Sequence, residues 1–95
     1  MPIYVVSYDL KLGHGSHDYD DLYGAFEKLA SHKVLYSVYL VSTTSTAQQL
    51  KEYLSQYMDE KDRIWVSRLP PKSHTDYAYL AMAGTNDWLK KHPPS

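Results

Sequence analysis

Ile3-Tyr4-Val5-Val6-Ser7-Tyr8-Asp9-Leu10 is the stretch on which the fold turns. It is rich in β-branched and aromatic residues, apolar enough for a central strand. The strand ends where Lys11-Leu12-Gly13-His14-Gly15-Ser16-His17 brings in glycines and polar residues. Asp18, Asp20 and Asp21 then stand where carboxylates favour the start of a helix. Tyr19, Leu22, Tyr23, Phe26, Leu29 and Ala30 recur at three- and four-residue spacing, which gives that helix one apolar face.

Further along, residues 33 to 42 are again strand-like, with a bend expected near Tyr36-Ser37 that divides them into two short strands. Ser42-Thr43-Thr44-Ser45-Thr46 leads into a second helix. Thr46 and Gln49 have the spacing of a capping box, and Ala47, Leu50, Tyr53, Leu54, Tyr57 and Met58 form its apolar face, ending near Asp59-Glu60-Lys61. Residues 62 to 69 alternate as a strand, with Ile64 and Val66 on one face and Trp65 on the other. Pro70-Pro71 stops that strand, because proline lacks a ladder donor and restricts its predecessor. Tyr77 to Met82 reads as a short edge strand or a helical turn, and Thr85-Asn86 as the cap of a last short helix over Asp87-Trp88-Leu89-Lys90-Lys91.

Strand, helix, bent strand pair, helix, strand is the order of a ferredoxin-like α+β fold, the split βαβ arrangement, with two helices on one face of an antiparallel sheet. The expected organisation is a single domain, with residues 1 to 69 as the ferredoxin-like core and 70 to 95 as a C-terminal extension of it. The length of 95 residues accommodates one hydrophobic core. The sheet face away from the helices needs cover, and a homodimer is the natural source of it. Ten tyrosines with Trp65 and Trp88 supply wide, rigid contact area for core and interface.

Composition narrows the functional classes. An apolar fraction of 43% with 22% charged residues is that of a folded globular chain. The absence of cysteine removes disulfides, thiolate nucleophiles and cysteine-ligated zinc. Met1-Pro2-Ile3-Tyr4 has no basic segment before its apolar run, so no signal peptide is expected, and no run approaches the roughly 20 apolar residues of a membrane span. The expectation is a soluble, cytoplasmic protein. Formal net charge is −1, with eight lysines and two arginines against eleven acidic residues, so the broad basic field of a nonspecific nucleic-acid binder is missing.

Ser7-Tyr8-Asp9-Leu10, the segment Tyr36 to Val41, Thr46-Ala47-Gln48-Gln49-Leu50 and Asp62-Arg63-Ile64-Trp65-Val66 together resemble the small CRISPR-associated adaptation protein family, the second subunit of the integration complex. The likeness covers about two thirds of the chain. It extends to the wider superfamily of virulence-associated protein D toxins and SinR-like proteins, the last sharing the acidic helix start and a tail like Trp88-Leu89-Lys90. The resemblance implies a homodimer in which the aspartate after the strand-one tyrosine lies at the two-fold axis. Two copies would then hold one divalent metal, Mg²⁺, for phosphodiester cleavage of nucleic acid. By position this falls on Asp9 alone, as both catalytic and metal residue. Mg²⁺ takes hard oxygen ligands and needs only one or two carboxylates. Where DNA-gripping relatives carry a basic stretch after this aspartate, Lys11 is here followed by a glycine-histidine loop and three aspartates.

The remaining constellations each have a plainer reading beside the functional one. Gly13 to His17 precedes a helix and has the form of a phosphate cradle, but the neighbouring aspartates occupy the positive helix end. His14, His17 and Asp18 are metal-ligand types, or solvated loop residues. The uncharged run Ser42 to Thr46 is the better anion site, with helix capping as its plainer role. Arg63 and Arg68, five residues apart on a strand, point to opposite faces. Lys90, Lys91 and His92 read as a solvated helix end. The alternatives to a nuclease are a catalytically inert dimeric interaction module that binds a protein partner, as in toxin-antitoxin, defence or anti-defence systems, and a small-ligand sensor with the Ser/Thr loop as its lip.

Overall fold

A computed structural model describes residues 1–11, 19–71 and 76–95. The elements run β1 (Ile3–Asp9), α1 (Asp20–Glu27), β2 (Ala30–Leu35), β3 (Val38–Ser42), α2 (Ala47–Ser55), β4 (Arg63–Arg68) and α3 (Thr85–Lys91). The four strands form one sheet in the order β2-β3-β1-β4, and every neighbouring pair is antiparallel. This is the ferredoxin-like α+β arrangement. β1, the most apolar strand, lies in the interior of the sheet between β3 and β4.

Alternation along β1 sends Tyr4, Val6 and Tyr8 to one side and Ile3, Val5, Ser7 and Asp9 to the other. On the first side Tyr4, Val6 and Tyr8 join Leu22, Ala25 and Phe26 of α1, Leu50 and Leu54 of α2, and Val41 of β3 in the main core. The Phe26 and Tyr39 rings stack with centroids 3.9 Å apart, and Tyr8 lies 5.9 Å from Phe26. Each fully buried large side chain here contributes roughly 1.5–3 kcal/mol through removal from water. The capping box of α2 forms as its spacing requires: the Gln49 backbone N–H donates to Thr46 Oγ1 at 3.1 Å, and the Thr46 N–H donates to Gln49 Oε1 at 2.9 Å.

On the second side Ile3, Val34, Leu40 and Leu69 make a smaller core, against which Val5, Val38, Tyr77, Ala81, Trp88 and Leu89 pack. The chain's own C-terminal segment therefore covers part of the face for which a second copy was expected. α3 is held over β2: His32 hydrogen-bonds Thr85 Oγ1 at 3.0 Å and its ring stacks on Trp88, with His92 against Trp88 at 4.4 Å.

Several boundaries differ from those the spacing predicts. α1 stops at Glu27, and Ala30 pairs with Ser42 as the first residue of β2. The helix is closed by a tightened turn, Leu29 N–H to Phe26 O, while Ser31 Oγ donates to the same carbonyl. α2 stops at Ser55 because Tyr57 and Met58 donate to carbonyls three residues back, Leu54 and Ser55, in place of the four-residue ladder. Tyr57 and Met58 still pack against the core. Residues 77–82 are neither strand nor helix; the Met82 N–H donates to Val34 O of the sheet at 2.9 Å. Among the described residues no helix is long and apolar enough to cross a membrane.

Candidate functional site

Strand register fixes the surroundings of Asp9. Being the last residue of β1 it points away from the helices, exposed, on the side of the sheet where the C-terminal cover packs. Its cross-strand partner in β4 is Arg63, and two residues back Ser7 faces Trp65. Ser7, Asp9, Arg63, Trp65 and Ser67 thus share one face. Ser7, Tyr8, Asp9, Arg63, Ile64 and Trp65 line a shallow hollow of about 360 Å³. The cover packs on Ile3, Val5, Val34, Val38 and Leu40 of the sheet, and among the described residues it does not extend to the end formed by Asp9, Arg63 and Trp65, which are exposed.

Arg63 is fixed by its own turn. Its guanidinium donates to the carbonyl of Asp62 at 2.8 Å and to that of Glu60 at 3.3 Å. With five N–H donors in its fork, two such bonds leave capacity for an incoming anion. Arg68 lies on the opposite face in register with Tyr4, as the spacing predicts, so the two arginines do not form one patch.

The residue that sequence reasoning passed over is Asp62. The alternation places it first in a strand, yet it is a buried carboxylate with 8% exposure that ties three segments together. Oδ1 accepts from the Lys11 backbone N–H at 2.7 Å and from the Tyr19 hydroxyl at 2.8 Å, and Oδ2 accepts from the Asp59 N–H at 2.7 Å. Burial pushes its proton affinity up. The hydrogen bonds from Lys11, Asp59 and Tyr19, with the Lys11 charge, outweigh that and hold the carboxyl below its ordinary value. Asp62 therefore fixes the chain as it leaves β1 two residues beyond Asp9. The only local signal was Asp59-x-x-Asp62, the spacing of a side chain that closes a turn on a backbone N–H. Its other two partners lie 43 and 51 positions away.

Tyr8, beside Asp9 in sequence, turns into the main core. Burial there, with Tyr39, Tyr23 and Tyr36 nearby, raises the proton affinity of its hydroxyl well above that of a free tyrosine. It stays neutral through the physiological range and belongs to the packing.

The other candidates separate. Gly13, His14, Gly15, Ser16, His17 and Asp18 lie outside the described residues. In the Ser42 to Thr46 run, Thr46 serves the helix cap and Thr43 Oγ1 accepts from the Ser45 N–H, so local bonding uses these hydroxyls. Lys90 and Lys91 are exposed in the last turn of α3. Among the described residues no three His, Cys, Asp or Glu side chains converge as a metal site. Among the described residues Asp9 thus stands without a second acidic or histidine ligand grouped with it, and a metal there would need a further carboxylate from elsewhere. That donor set still fits Mg²⁺, which keeps several waters and is commonly bound through one or two carboxylates plus substrate phosphates.

Comparison with known families gives a match over residues 1–76 to the model of CRISPR associated protein Cas2. The match spans β1 through β4, including Asp9, Asp62 and Trp65, and ends before α3.

Proposed function

Because the chain belongs to the family of CRISPR associated protein Cas2, we propose that it is a homodimeric CRISPR-adaptation protein that cleaves phosphodiester bonds of nucleic acid at Asp9 with Mg²⁺. The observation that carries this reading is the placement of Asp9: an exposed carboxylate at the end of an interior strand, on the uncovered part of the sheet, opposite an arginine. Two copies meeting about an axis near the strand end would supply two carboxylates. A bound Mg²⁺ would supply Lewis-acid polarisation of a phosphate oxygen and a more acidic water. The chain's own part is to hold the phosphate. Arg63 has donors to spare beside Asp9, and Asp62 fixes the backbone that leads from Asp9 to Lys11. The same reading takes the protein as cytoplasmic and as one domain, residues 1–69 being the core and 70–95 its extension.

The second reading, an inert dimeric module that binds a protein partner, draws on the exposed apolar residues Leu35, Tyr36, Leu80 and Met82 and on the net charge of −1. A mixing experiment decides between them. Cleavage of RNA and DNA with Mg²⁺ or Mn²⁺ is measured for wild type, for Asp9→Asn, and for the two refolded together in varied ratio. A shared metal predicts an inactive variant and activity that falls as the square of the wild-type fraction. Equal activity in both proteins removes Asp9 from the chemistry, and a linear fall means that each copy works alone.

A further inference from the structure

Asp9 is the last residue of β1, and that end of the strand is held differently on its two sides. Towards β3 the last pair of the ladder is Ser7 with Val38, and the Tyr8 N–H donates to Ser37 O at 3.1 Å. Towards β4 the pairing runs on to Asp9 with Arg63. One more step in that register sets Leu10 opposite Asp62. There a side chain takes over from the backbone ladder, because Asp62 Oδ1 accepts from the Lys11 N–H at 2.7 Å. The Asp59 N–H fixes Oδ2 in turn, and Oδ1 is shared with the Tyr19 hydroxyl. Tyr8 and Leu10, on either side of Asp9 in sequence, are both buried in the main core. Asp9 is thus an outward-facing residue between two inward-facing ones, and the backbone that carries it is pinned just beyond by one carboxylate. That carboxylate is itself buried, so any influence on chemistry at Asp9 has to pass through the backbone.

We infer that Asp62 is a positioning residue for the proposed metal centre: by holding the Lys11 N–H it fixes the strand end from which Asp9 presents its oxygens. The inference rests on the reading of Asp9 as the carboxylate that holds Mg²⁺, and deepens it. A misplacement of about 1 Å in a reacting group costs roughly 10²-fold in rate. Groups that hold a metal ligand in place from outside the coordination shell are worth roughly 10- to 100-fold in metal affinity or activity. Without the clamp the strand end keeps its core anchors, Tyr8 and Leu10, but loses the bond that stops the outgoing chain from fraying. The loss then falls on the geometry of Asp9 and not on contacts with substrate, so it appears in kcat more than in KM.

The test is Mn²⁺ binding to the full chain without nucleic acid, followed by electron paramagnetic resonance. Mg²⁺-dependent cleavage kinetics and hydrogen exchange of the Lys11 amide are measured beside it. Asp62→Ala is expected to bind Mn²⁺ roughly 10- to 100-fold more weakly and to lose roughly 10²-fold in kcat with little change in KM. Its Lys11 amide exchanges faster. Asp62→Asn, which keeps an acceptor oxygen for Lys11, recovers most of the affinity and the rate. Tyr19→Phe removes a bond to the same oxygen but leaves the Lys11 clamp, so it lowers stability and keeps Mn²⁺ affinity near wild type. Should Asp62→Ala not fold, Lys11→Pro decides, since proline lacks the donor. It is expected to bind Mn²⁺ as weakly, while Lys11→Ala keeps the N–H and binds near wild type. Wild-type Mn²⁺ affinity and kcat in Asp62→Ala or in Lys11→Pro overturn the assignment. Equal losses in Tyr19→Phe and Asp62→Ala also overturn it, because they mark a general loosening of the fold. Asp9→Asn separates the two failures. If it abolishes Mn²⁺ binding while Asp62→Ala leaves it unchanged, only the positioning role falls. If it binds and cleaves as wild type, the reading of Asp9 falls, and the role of Asp62 with it.

Discussion

On the helix side of the sheet Val6, Leu22, Phe26 and Leu54 have no exposed surface, whereas on the other side Trp65 is largely bare and Asp9 is exposed. Both sides are read out from the same strands by the same alternation, so the difference comes from what covers them. Two amphipathic helices that follow β1 and β3 close the first side. Among the described residues a C-terminal segment with one short helix lies on the second, and it packs on the β2–β3 half and on Ile3 and Val5. The closed side holds the fold, and in the proposed reading of Asp9 the exposed end of the other side carries the chemistry. Substitutions are therefore expected to sort by side.

The largest effect is expected for Phe26→Ala, which empties the centre of the Tyr8–Phe26–Tyr39 cluster. A loss of about 3–5 kcal/mol is a large share of the stability of a domain this size, and urea unfolding will measure it. Asp62→Ala comes next, at about 3 kcal/mol, because it strands two backbone N–H groups and the Tyr19 hydroxyl. This variant links the two sides, since Tyr19 is core and Lys11 leads from the open end. It also carries a pH signature. The folded carboxyl sits below its unfolded value of about 3.9, so its stabilisation is complete above that pH and is lost as pH falls through the lower folded value. Acid titration of Asp62→Asn will therefore show a shallower loss of stability below about pH 4 than wild type.

Thr46→Ala removes the cap of α2 and costs about 1 kcal/mol, read as a shift in the urea midpoint. Smallest of all is Trp65→Ala, within about 0.5 kcal/mol, as for a surface site that packs against little. A Trp65 loss comparable to that of Phe26 would erase the distinction between the sides.

Much of the closed side was legible in the chain. The run from Ile3 to Leu10, the Thr46–Gln49 box and the alternation of Ile64, Trp65 and Val66 are local signals, and each appears where its period places it. The end of α1 was less legible because Leu29 and Ala30 continue the helical spacing, and only pairing of Ala30 with Ser42 draws them into the sheet. The C-terminal cover escaped for a related reason. Tyr77 to Met82 has no period of its own, and it is positioned by packing on Val34 and Leu40. Asp9 was found from the sequence as a strand end, while the feature that frames it, the Asp62 latch, depends on partners more than 40 residues distant.

The division of duties between the two sides is tested most directly by Asp9→Asn, measured for urea unfolding and for Mg²⁺-dependent cleavage of RNA and DNA on the same preparation. The expected result is stability within about 0.5 kcal/mol of wild type and cleavage reduced to background. Cleavage at the wild-type rate, or a stability loss of several kcal/mol, would contradict it.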